Sequence, residues 1–101
     1  MYARHVTTFV KMDKMDEALK IFEDSVIPEG KAQEGYVGIY LLTNKESGKI
    51  ISITLWNTQE DAIANEESGY YHRQVEKFND VITQPPIKEG YDVTIMLFKP
   101  R

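Results

Sequence analysis

The chain has 101 residues, 42% of them hydrophobic, with 12 Lys and Arg against 16 Asp and Glu for a net charge of −4, and no cysteine. That length fits one domain with one core and leaves no room for two. The scattered basic residues argue against nucleic-acid binding, which needs a basic stripe against phosphates, and the lack of cysteine excludes disulfide staples, thiolate metal sites and a cysteine nucleophile.

Residues 2 to 10 are rich in β-branched and aromatic types, contain no Gly or Pro, and read as strand one. Alternation puts Tyr2, Arg4, Val6, Thr8 and Val10 on one face and Ala3, His5, Thr7 and Phe9 on the other. Asp13 reads as a helix N-cap, and Met15, Ala18, Leu19, Phe22 and Val26 form one apolar stripe at helical spacing. Pro28 and Gly30 are the expected stop. After a polar loop, Tyr36 to Thr43 reads as strand two with both faces apolar, Asn44 to Lys49 as a turn, and Ile50 to Trp56 as strand three. Asn57 or Thr58 caps a short helix over 58–67. Ser68-Gly69 interrupts it, and Ser68 can cap a second piece in which Tyr71, Val75, Phe78 and Ile82 keep helical spacing. Pro85-Pro86 ends that piece, and after Gly90 the run Tyr91 to Phe98 reads as strand four.

The order β-α-β-β-α-β is a split βαβ pattern, so the expected fold is α+β and ferredoxin-like. Right-handed crossovers place both helices on one face of a four-stranded antiparallel sheet. The other face is apolar as well, since strands two and three carry apolar side chains on both sides and strand four adds Tyr91, Val93, Ile95 and Leu97. An apolar face of that size marks an association surface, and a two-fold homodimer through the sheet is the expected way to cover it. No apolar run reaches the roughly 20 residues that span a bilayer. The first residues, Met1-Tyr2-Ala3-Arg4-His5, lead into a strand rather than an apolar signal core. A cytoplasmic protein without membrane contact is expected.

The stretch Ile53-Thr54-Leu55-Trp56-Asn57-Thr58-Gln59-Glu60-Asp61-Ala62-Ile63 resembles a segment of the antibiotic biosynthesis monooxygenase superfamily. In that family a Trp closes strand three, a capped helix of the form Ser-x-Glu-x-Ala follows, and a short Ser-containing break leads to a second helical piece. Ser68-Gly69-Tyr70-Tyr71 stands at that break, and Gly35-Tyr36 opens strand two as in the family. The resemblance implies a dimeric α/β barrel with a pocket between each sheet and its own helices. Its members include oxygenases that need no cofactor and act on quinol-like aromatics, haem-degrading oxygenases, and proteins of no established activity. Trp56 maps to the strand-three Trp, and Asn65 to a polar position in the second helix. His5 falls near a polar strand-one position of the haem-degrading branch. That branch also uses a helix Trp and an axial His ten residues on. Here the second helix holds no Trp, and Gln74 or Val75 stands where the His would be.

Taken singly, each candidate has a functional and a structural reading. Trp56 either stacks on an aromatic ligand or packs the strand end. His72 is a general base, or a neighbour of the Tyr71 stripe that borders the core or faces solvent. His5 points into a pocket if its face meets the helices, or is a hydrogen-bonded sheet residue. Tyr36, Tyr40, Tyr70 and Tyr71 can bond a quinone or phenol oxygen, or pack with a polar tip. Arg4 reads first as an exposed strand-edge charge and second as an anchor for an acidic ligand. Met12 and Met15 read as core fillers. Two histidines without ligand spacing support no metal site, and no cofactor is expected. Three functions follow: a cofactor-independent monooxygenase with His5 and His72 as catalytic groups and Trp56, Asn65, Tyr71 and Phe78 around a small aromatic; a non-enzymatic dimer holding a small ligand; and a structural dimer whose pocket is filled by Trp56, Tyr71 and Phe78.

Overall fold

A computed structural model describes residues 1–100. The elements in chain order are β1 (Tyr2–Phe9), α1 (Met15–Ile21), a π-helical turn (Phe22–Val26), α2 (Ile27–Lys31), β2 (Tyr36–Asn44), β3 (Lys49–Trp56), α3 (Gln59–Glu67), α4 (Tyr70–Glu76) and β4 (Ile87–Asp92). The four strands form one sheet in the order β2-β3-β1-β4 with every neighbouring pair antiparallel. This is the ferredoxin-like α+β arrangement that the split βαβ pattern implies. Among the described residues no helix is long and apolar enough to cross a membrane.

The register fixes which side chains share a face. Arg4, Val6 and Thr8 of β1 lie opposite Thr54, Ser52 and Ile50 of β3, and all point toward the helices. Ala3, His5 and Thr7 lie opposite Leu55, Ile53 and Ile51, on the side no helix covers. The core proper joins Val10, Met15, Ala18, Phe22, Ile50, Phe78 and Val81. Phe22 and Phe78 meet with ring centroids 4.7 Å apart. Met15 is buried, but Met12, expected as a filler, is exposed.

The helical arm after β1 departs from the expected stop. It runs through Pro28 and Gly30 to Lys31. Directly before Pro28 the backbone widens, so that the Ile27 N–H bonds the Phe22 carbonyl five residues back. Proline has no N–H to donate, and its ring crowds the carbonyl four residues earlier. A π-turn at that point relieves both problems while the chain stays helical. Asp13 does not cap α1; Lys14 takes that position, and no side chain closes the helix start. Thr58 does cap α3, its Oγ1 accepting from the Asp61 N–H at 3.1 Å.

Two features after α3 matter for the cavity. Gly69, with φ of 86°, turns the chain into α4, and the Ser68 hydroxyl accepts the Tyr70 N–H at 3.3 Å. The second piece ends at Glu76 rather than running on to Pro85, and Ile82 instead bridges to Val10. The last strand also differs from expectation: it is Ile87–Asp92, not Tyr91 to Phe98. Tyr2 pairs with Asp92, and the Val93 N–H bonds the Met1 carbonyl at 3.0 Å. The ladder between β1 and β4 ends there. Ile95, Leu97 and Phe98 lie beyond the sheet, 84%, 87% and 65% exposed.

Candidate functional site

A cavity of about 80 Å³ lies between the helix-facing side of the sheet and the arm formed by the π-turn, α2 and α4. Its walls are mainly apolar, with Val6, Phe22, Val26, Ile27, Val75 and Phe78 among them. Strands β1 and β3 supply the floor, where period-two alternation delivers Arg4 and Trp56 to the same face. Helix α4 supplies Tyr70, Tyr71 and Gln74 from successive turns.

Two polar groups in the lining stand out as lacking a partner. Trp56 is 1% exposed, and its Nε1–H is buried without a hydrogen-bond partner. The Tyr70 hydroxyl is buried and unpartnered as well. Native interiors rarely leave such groups unmet, because each costs about 1–3 kcal/mol in lost hydration. Both side chains belong to the cavity lining. Burial raises the Tyr70 and Tyr71 phenols above their ordinary pKa, which keeps both protonated at neutral pH. Among the described residues, no Asp, Glu or His belongs to the lining.

Arg4 stands at the cavity's edge and is 5% exposed. Its guanidinium carbon lies 4.9 Å from the Trp56 ring centre and 5.0 Å from that of Tyr71. Nη1 donates to Asn65 Oδ1 at 3.1 Å and lies 3.5 Å from Glu66 Oε2. Burial pulls its pKa down, and Glu66 opposes that. An arginine keeps its charge under such a pull. Asn65 in turn donates through Nδ2 to Gln33 Oε1 at 3.1 Å, so it serves as a brace for Arg4 rather than as part of the lining.

The residues expected from the sequence thus divide. Trp56, Tyr71 and Phe78 come together around the cavity, and they line it rather than fill it. Tyr36 and Tyr70 join them, whereas Tyr40 sits on the uncovered face, paired with Ile53. The two histidines do not meet and neither lines the cavity. His5 occupies the uncovered face because that face does not meet the helices; its ring is edge-on to Tyr91 and its Nδ1 is 3.8 Å from Glu89. His72 projects from α4 into solvent, 78% exposed, with Nε2 2.7 Å from Glu76 one turn on. Arg4, read as a strand-edge charge, is instead buried in the site. The signal for it was its sharing of a strand face with Val6 and Val10.

Comparison with known proteins places this geometry. The family model for antibiotic biosynthesis monooxygenases matches residues 1–77. Two uncharacterized proteins from strains of Mycobacterium tuberculosis are 30% identical over 67 residues, which is 66% of this chain and 30% of theirs. The chain therefore spans well under two thirds of the length of these relatives. Among solved structures, an Nitrosomonas europaea protein assigned to antibiotic biosynthesis monooxygenases superposes with a TM-score of 0.75 at 22% identity, over 94% of this chain and 100% of that one. A monooxygenase of Streptomyces coelicolor, ActVA-Orf6, solved with nanaomycin D, superposes with a TM-score of 0.81 at 10% identity, over 98% of this chain and 92% of that one. At those identities the superpositions speak for the fold, while the family model covers most of the sequence itself. The chain belongs to the antibiotic biosynthesis monooxygenase family.

Proposed function

We propose that the protein is a cofactor-independent monooxygenase that binds a small quinol-like aromatic in the cavity between its sheet and its helices. The observation that carries this reading is the pair of buried, unpartnered donors, Trp56 Nε1 and Tyr70 Oη, on side chains that line a mainly apolar cavity. An aromatic ring fits the apolar walls, and a quinol or quinone oxygen supplies the acceptor that both donors lack. Family membership and the nanaomycin D held by the Streptomyces coelicolor protein support the same ligand class.

The reaction balances without a redox cofactor. A quinol and dioxygen yield a hydroxyquinone and water: one oxygen atom enters a ring C–H, the other leaves as water, and the substrate supplies all the electrons. Oxygen reacts with the electron-rich quinolate rather than the neutral quinol. The lining offers donors but no carboxylate or imidazole, so its part is to hold the deprotonated oxygen and lower the quinol's pKa while solvent takes the proton. The apolar walls keep water from the reacting ring. Incubation with 1,4-dihydroxynaphthalene under ¹⁸O₂ tests this. Oxygen uptake above the blank with one labelled atom in the product is expected, and a protein-independent rate would reject it.

The lack of a carboxylate or imidazole in the described lining favours one alternative, a non-enzymatic dimer that holds the same ligand. Binding without oxygen uptake would select it. In either reading we propose a homodimer through the uncovered sheet face, where Tyr40, Leu42, Ile87 and Tyr91 are each about half exposed.

A further inference from the structure

We infer that Arg4 is a partition that sets the length of ligand the cavity accepts. This rests on the reading of the cavity as a ligand site. A second cavity of about 130 Å³ adjoins the first, bounded besides Arg4 by Tyr2, Ile63, Glu66, Lys88, Glu89 and Gly90. Among the described residues, Arg4 alone lines both. Its side chain is therefore the wall between an apolar chamber and a charged one that opens toward β4.

The wall is fixed rather than swinging. Two aromatic faces, Trp56 and Tyr71, hold the guanidinium from the sides, while Asn65 and Glu66 hold it end-on. Glu66 is itself tied to Lys88, whose ammonium lies 5.1 Å from the Tyr71 ring centre. An arginine planted between aromatic faces and bonded to two side chains loses little further entropy in that position. Beyond it, Gly90 leaves the second chamber's floor flat: a β-carbon there would fall on the Tyr2 hydroxyl. The Glu66–Lys88 pair remains when Arg4 is removed, so Lys88 stays in the second chamber's wall beside the carboxylates of Glu66 and Glu89.

The consequence concerns ring number. With Arg4 in place, a ligand ends at the guanidinium, which favours one- and two-ring phenols. With Arg4 shortened, a fused three-ring phenol can extend past Tyr71 into the second chamber toward Lys88. Calorimetric titration of phenol, 1-naphthol and 1-anthrol into the wild type and Arg4→Ala under nitrogen reads this directly. The ratio of 1-anthrol to phenol affinity is expected to rise about tenfold in Arg4→Ala, the scale of burying one more aromatic ring. Ile63→Phe on the Arg4→Ala background refills the second chamber and should return the ratio to the wild-type value. Arg4→Gln, which is shorter yet still bonds Asn65, is the fallback if Arg4→Ala does not fold, with a smaller rise expected. An unchanged ratio in the folded variant overturns the inference, as does a rise that Ile63→Phe leaves in place. If the wild type binds none of the three phenols, the ligand-site reading falls and this inference with it.

Discussion

Gly30 of α2 and Tyr70 of α4 approach so closely that a β-carbon at position 30 would lie 3.6 Å from the Tyr70 hydroxyl oxygen and 3.3 Å from the Tyr36 ring. Glycine inside a helix costs roughly 0.5–1 kcal/mol relative to alanine. Here the missing side chain keeps two tyrosines at the cavity wall. Gly30→Ala recovers the helix gain and spends it on the tight contact with Tyr36, so thermal stability should change by less than about 1 kcal/mol. The added methyl narrows the cavity, and phenol affinity should drop several-fold by calorimetry. Unchanged affinity would show that the ligand does not use the space beside Gly30.

Tyr70→Phe separates a site role from a packing role. The hydroxyl has no partner in the unliganded protein, so its removal relieves a desolvated donor and stability should hold or rise by up to about 1 kcal/mol. A bound quinol oxygen, by contrast, loses one of its donors. Ligand affinity should fall about tenfold, the scale of one hydrogen bond, and oxygen uptake about a hundredfold, the scale of one donor to a developing charge. A thermal melt beside an oxygen-electrode trace reads both. Loss of stability with function intact would invert the assignment.

The histidines provide the opposite test. His72 lies on the solvent side of α4 paired with Glu76, and His5 faces away from the helices. His72→Ala should leave oxygen uptake unchanged and stability within about 0.5 kcal/mol, as for ordinary surface substitutions. His5→Ala should likewise spare uptake per folded protein. A large loss of uptake on either would require a base that reaches the cavity by a route this conformation does not contain.

Why the histidines looked attractive, and Arg4 did not, is a matter of which physical signals are local. Hydrophobic period and turn chemistry are local, and they located β1, the hairpin, the Thr58 cap and the Ser68-Gly69 break. Trp56, Tyr71 and Phe78 followed, because their places in those periods put them on the inner face. Which sheet face the helices cover is not local, and it decided the fate of His5. The same holds for β4. The alternation of Tyr91 to Phe98 is a good strand pattern, but the ladder with β1 runs over Ile87 to Asp92, and alternation alone does not say which segment meets a partner strand. Pro28 failed as a stop signal because a π-turn one step earlier freed the carbonyl it would strike. Arg4 was misread through its residue type, although its strand position already placed it with Val6 and Thr8.

The pH response should have two limbs of opposite sign. Hydrogen bonds from Lys77 and Ser25 hold the Glu29 carboxyl below its ordinary value of 4.5. A depressed folded pKa adds stability above the unfolded pKa, and that stability is lost as pH falls through the folded one. On the other side, burial raises Tyr36, Tyr70 and Tyr71 above 10.0, so the native state keeps protons that the unfolded chain releases. Stability then declines as pH rises past 10.0. Melting temperatures across this range should form a plateau with both edges falling. Lys77→Met should flatten only the acid edge, which identifies the pair that ties α2 to α4. An acid edge that survives this change would assign it to other carboxylates.

The uncovered sheet face yields the last expectation. Leu42 of β2 pairs with Ile51 of β3, and Tyr40 pairs with Ile53, so these four side chains form an apolar row on the side away from the helices. Ile87 and Tyr91 extend it across β1 to the far edge. In a lone subunit Leu42 is 49% exposed, and Leu42→Glu should cost less than about 1 kcal/mol. In a sheet-to-sheet dimer the same change buries two unpaired carboxylates, one per subunit, and association should fail. Native mass spectrometry is expected to give a dimer for the wild type and a folded monomer for Leu42→Glu. Leu97→Glu, in the exposed run beyond β4, serves as the contrast. If it alone dissolves the dimer, the contact lies with the terminal segment rather than the sheet, and a wild-type monomer would exclude association through either.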